Sequence, residues 1–97
     1  MTTKISEFLK NLQVGDTIKI VHGDYDLLDN ELSSYQFKKF GTSKNLYKDF
    51  IGEVAEIVHI DLDWEFPISL SFINNDLNEK MYDYGFDLWH ESQIEYY

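Results

Sequence analysis

Apolar residues recur along this chain with two different periods. In "TTKISEFLKNL", Ile5, Phe8, Leu9 and Leu12 fall at i, i+3, i+4 and i+7, one stripe of a helix, with Thr2 or Thr3 available as its N-cap. The spacing predicts a short N-terminal helix within residues 1–13, covering one end of a core that occupies 14–97. "VGD" then breaks the helix, and Gly15 and Asp16 supply the chemistry of a sharp turn. "TIKIV" switches to period two, with Ile18 and Ile20 on one face against Thr17, Lys19 and Val21, and reads as a first strand.

Residues 22–50 follow neither period throughout. Leu28, Leu32 and Tyr35 are helically spaced, and "SSYQFKKFG" has a Ser cap, aromatic anchors and a Gly stop. We expect a long, partly helical excursion packed by Tyr35, Phe37, Phe40, Leu46 and Tyr47, because a structureless loop of that length is rare in a compact domain. Beyond it, "FIGEVAEIVHID" is a strand whose apolar positions (Val54, then Ile57, Val58 and Ile60) slip out of register, the sign of a bulge or strong twist. "FPISLSFI" alternates cleanly, with Ile68, Leu70 and Phe72 inward. "NNDLN" reads as a turn, "EKMYDYGFDL" as a further strand, and "WHESQIEYY" as a helical turn entering a last strand at Ile94. One helix and about five short strands predict a mainly β domain, a small antiparallel barrel or sandwich.

The segments "VGDTIKIV", "GEVAEIVHID", "FPISLSF" and "YGFDLWHESQIEYY" together resemble the SH3-like barrel of KOW-type modules and of small uncharacterised phage proteins. The resemblance implies a single SH3-like domain over 1–97 and, because such barrels serve very different partners, little about function. KOW modules that touch RNA use basic surfaces, and this chain departs from that pattern.

Composition sharpens the departure. With 97 residues, 43% of them hydrophobic, the chain fits one domain with a modest core. Cysteine is absent, which excludes disulfides, thiolate metal sites and thiol nucleophiles. No eighteen apolar residues run together and the N-terminus holds no apolar signal segment, so a cytoplasmic protein without membrane contact is expected. Every basic residue is a lysine, and Ile, Asn, Lys, Phe and Tyr abound, as in proteins of AT-rich genomes; a low-GC bacterium or its phage is the expected source. Residues 1–48 set six acidic residues against seven lysines, a net of +1, whereas 49–97 set twelve against Lys80 alone, a net of −11, giving −10 for the chain. That asymmetry is the strongest functional signal present.

The candidate chemistries are quickly reduced. "DLDWEF" matches the opening of a calcium loop, but Phe66 and Phe72 stand where that loop needs Gly and Glu. His22, His59 and His90 are scattered with no zinc spacing. No nucleophile elbow, phosphate-cradling glycine loop or arginine clamp occurs, and neither an enzyme nor a cofactor is expected. Direct nucleic-acid binding is disfavoured, since the one basic cluster is "KKFGTSK".

The inverse reading is that the acidic half binds a basic protein. If "DLDWE" is extended, Asp61, Asp63 and Glu65 project to one side about 6.7 Å apart, on the scale of successive phosphates. Trp64, Tyr82, Tyr84, Trp89, Tyr96 and Tyr97 interleave with carboxylates, as hot-spot aromatics would, although Trp89 reads as core. The expected partner-binding residues are Asp61, Asp63, Trp64, Glu65, Asp83, Tyr84 and Asp87. The expected function is a non-enzymatic inhibitor or adaptor of phage type that binds a nucleic-acid-handling enzyme, in the manner of anti-CRISPR proteins or nucleic-acid mimics. An SH3-like peptide-binding or structural module with incidental charge, and an immunity-type protein masking a basic toxin, stay open beside it. So does pairing of exposed edge strands into a homodimer.

Overall fold

The computed structural model describes residues 7–97. It contains a five-stranded, wholly antiparallel sheet of β1 (Thr17–Ile20), β2 (Val54–Ile60), β3 (Ile68–Phe72), β4 (Leu88–Trp89) and β5 (Ile94–Tyr96), in the order β4-β3-β2-β1-β5. The first four strands form a meander and the last returns beside the first. The expected alternation holds in β1 and β3, whose Ile18, Ile20, Ile68, Leu70 and Phe72 are buried. In β2 the register slips between Ile57 and His59, and Val58 is left facing out, a bulge of the kind the offset pattern implied.

Two expectations are corrected. The sheet is open, not a closed barrel, and among the described residues 42% are helical and 23% in strands, so the domain is mixed α and β. The physical reason lies in the edges: β4 has two residues and β5 three, too few to curl toward each other and close, and helices supply much of the core instead. Furthermore, the segment read as the strand "EKMYDYGFDL" is mostly the helix of Asn75–Tyr84. Asn74 caps its start, Leu77 and Met81 face the core one turn apart, and Gly85, at φ 79°, ends it while the Phe86 N–H closes back onto the Met81 carbonyl.

In chain order the helices are α1 (Glu7–Asn11), α2 (Tyr25–Asn30), α3 (Ser34–Phe40), α4 (Ser43–Tyr47) and α5 (Asn75–Tyr84), with 3-10 turns at Lys48–Phe50 and Glu91–Gln93. In α1 Leu9 is buried, as is Leu12 just beyond its end, and Phe8 packs edge-on to Tyr96; Ile5 and the threonine caps lie outside the described residues. The excursion after β1 is therefore three helices and a 3-10 turn, and Leu28, Leu46, Tyr47 and Phe50 carry it into the core. Tyr35 and Phe37, expected to anchor it, are exposed. The inward position of α3 is taken by Gln36, which is buried.

The core converges on Trp89, fully buried as its sequence context suggested. Its indole meets Tyr47, Phe50, Phe72 and Phe86 at 5.2–5.8 Å and donates its N–H to Met81 Sδ. No helix among the described residues is long and apolar enough to cross a membrane.

Candidate functional site

A groove of about 480 Å³ opens where three segments far apart in sequence meet. The end of α2 contributes Glu31 and Leu32, the β2–β3 corner contributes Trp64, Glu65 and Phe66, and the segment following α5 contributes Phe86, Asp87 and Leu88. Leu28, Gln36 and Tyr47, all buried, close it from the core side. Its volume lies within the usual range of ligand sites, about 300–1,000 Å³.

Local structure fixes each wall. The corner is a compact turn: Asp61 N–H donates to the Pro67 carbonyl, the Asp61 carbonyl accepts from Trp64 N–H, and Asp61 Oδ1 accepts from Asp63 N–H at 3.1 Å. This corrects the extended carboxylate row. Asp61 is half-buried and spends an oxygen on the turn, and only Glu65 of the three acids reaches the groove. Trp64 is 63% exposed, its apolar surface left at the rim.

The opposite wall depends on Gln36. Its Oε1 accepts from Ser33 N–H and the Ser33 hydroxyl accepts from Gln36 N–H, a reciprocal cap on α3. Its Nε2 then donates to the Tyr84 and Gly85 carbonyls at 3.0 and 3.2 Å, at the end of α5. The chain that leaves α5 through Gly85 is thus pinned to α3, and Phe86 to Leu88 are delivered to the groove.

Of the expected partner-binding residues, the groove brings together Trp64, Glu65 and Asp87. Asp61 and Asp63 sit on the adjoining turn. Asp83 and Tyr84 face elsewhere: the Asp83 carbonyl accepts from the Tyr35 hydroxyl, and the Tyr84 hydroxyl donates to Asp49 Oδ2 at 3.0 Å. Burial, reinforced by that hydrogen bond and the charge of Asp49, holds the Tyr84 hydroxyl above its ordinary pKa. Sequence reading missed Glu31, Leu32, Phe66, Phe86 and Leu88. The helical spacing of Leu28 and Leu32 hinted at a shared face, but no local signal sets it against residue 64.

Burial pushes the Tyr47 hydroxyl up to about 12, opposed by a hydrogen bond with Gln93, so at neutral pH it is a fixed dipole rather than a proton carrier. No histidine lines the groove, and His90 Nδ1, 2.8 Å from Ser92 Oγ, accepts from Ser92 N–H as a helix cap. Asp29 is held below the ordinary carboxylate range by hydrogen bonds from Ser43, which join α2 to α4. Among the described residues no three His, Asp or Glu side chains group closely enough to hold a metal ion, and no lysine forms an ion pair with Glu31, Glu65 or Asp87. The arrangement is suited to receiving a cation that is spread out and partly apolar.

The chain matches no family model, no curated protein and no solved structure.

Proposed function

We propose that this protein is a non-enzymatic, acidic binding protein whose partner is a basic, nucleic-acid-handling protein, which it inhibits by occupying a surface meant for phosphates. One observation carries the reading: Glu31, Glu65 and Asp87 and an exposed indole rim one groove, none of the three paired with a lysine among the described residues, on a chain of net charge −10. The strand order, a meander with the last strand beside the first, supports taking the sheet as an opened form of the SH3-like arrangement. Competition with nucleic acid then rests on charge and position, since the 61–65 segment is a turn and does not copy a phosphate row.

The test is affinity capture from a nuclease-treated lysate of a low-GC bacterium, with bound proteins identified by mass and titrated with salt and duplex DNA. The expected result is a basic nucleic-acid enzyme that binds at about 0.1 M salt, leaves at about 0.5 M and is displaced by DNA. Recovery of no such protein, or of one indifferent to salt and DNA, overturns the proposal.

A further inference from the structure

Building on that reading, we infer that the groove is the docking site for an arginine-bearing, extended segment of the partner chain, with Trp64 stacking on the guanidinium and carboxylates from opposite walls receiving its N–H groups. Much of the groove lining is apolar, with Leu32, Phe66, Phe86 and Leu88 only partly covered. An occupant must therefore bring apolar surface as well as charge. Glu31 lies at the end of α2, Glu65 at the β2–β3 corner and Asp87 beyond α5, so positive charge is attracted from three sides.

Arginine fits these demands better than lysine. Its planar group stacks on an aromatic face while its fork of donors reaches carboxylates at the edge, and it sheds water more easily than a compact ammonium. Three lysines among the described residues are engaged with other groups: Lys80 with Asp49, Lys19 with Glu95, and Lys39 over the rings of Tyr35, Phe40 and Tyr84 at 5.4–5.6 Å. The extended form follows from Leu88, which belongs both to the groove and to β4, a strand at the sheet edge that among the described residues is paired on one side only. A segment lying beside it can use main-chain hydrogen bonds in addition to side-chain contacts.

The experiment titrates the blocked tetrapeptide Leu-Arg-Leu-Arg, and its Leu-Lys-Leu-Lys counterpart, into the isotopically labelled full chain by NMR. The expected result is saturable shifts at the Trp64 indole N–H and at the amides of Glu65, Phe86, Asp87 and Leu88, with weaker binding of the lysine peptide. Trp64→Ala, at an exposed position the fold does not need, should weaken the arginine peptide about tenfold. Absence of saturable shifts, shifts that spread equally to Glu56, Asp76 and Glu79, equal binding of both peptides, or indifference to Trp64→Ala each overturns the assignment. If the salt-sensitive enzyme is captured equally by wild type and Trp64→Ala, the groove assignment fails while the acidic-binder reading stands. If the peptide binds as described and no such enzyme is captured, the reverse holds.

Discussion

Tyr47 shows how one hydroxyl ties the core to the groove. It lies against Trp89 and Phe86, lines the groove base, and is held near 12 by burial. Its folded-state value is raised above an unfolded value near 10, so the fold favours the neutral hydroxyl. That contribution is complete below about pH 10 and is lost as the pH climbs toward about 12, on the order of 3 kcal/mol in all. In Tyr47→Phe this part of the alkaline loss should vanish. Unfolding free energies measured by denaturant from pH 9 to pH 12 should fall less steeply in the variant, and parallel curves would assign the alkaline loss to other groups. Of the single residues, Trp89 and Trp64 were the most legible in sequence: one was read as core and is buried, the other is flanked by acids and is exposed. Gln36 was illegible, because a glutamine on the inner face of a helix makes sense only once the carbonyls it serves, 48 and 49 residues away, are known.

Strands and helices were legible to different degrees for a physical reason. A strand buried on one face advertises itself by strict alternation, as β1 and β3 do, and a bulge appears as a slip in that alternation, as at Ile57 and His59. α5 was hidden because "MYDYGF" alternates by coincidence, while its true signals, the Asn74 cap, the Leu77 to Met81 step and the Gly85 stop, are brief. The stop is testable. Gly85 holds φ 79° and ψ 29°, where a Cβ would meet only ordinary contacts with Gln36 and Tyr35, so Gly85→Ala isolates backbone strain from crowding. It should cost about 1–2 kcal/mol in denaturant unfolding, and a neutral result would mean that the turn after α5 relaxes freely.

At the scale of the whole molecule, charge opposes compaction. The chain confines a net charge of −10 within principal extents of 36 × 35 × 19 Å, and the exposed pairs Lys19–Glu95 (3.4 Å) and Lys80–Asp49 (3.8 Å) offset little of it. Raising sodium chloride from about 0.02 to about 0.5 M should therefore raise the melting temperature, by about 4–8 °C for each kcal/mol of repulsion screened. A melting temperature that falls with salt would show that local ion pairs outweigh the repulsion. The charge imbalance was plain in the sequence, but the groove was not, since residues 31–32, 64–66 and 86–88 become neighbours only through the sheet order and the Gln36 contacts. Those contacts also bear on how the molecule breathes. Because one amide side chain closes the start of α3 and the end of α5, fraying at either end releases the other. The groove wall is then a cooperative unit that opens or holds as a whole, and a ligand that stiffens Phe86 to Leu88 slows the melting of a helix on the far side of the chain's sequence.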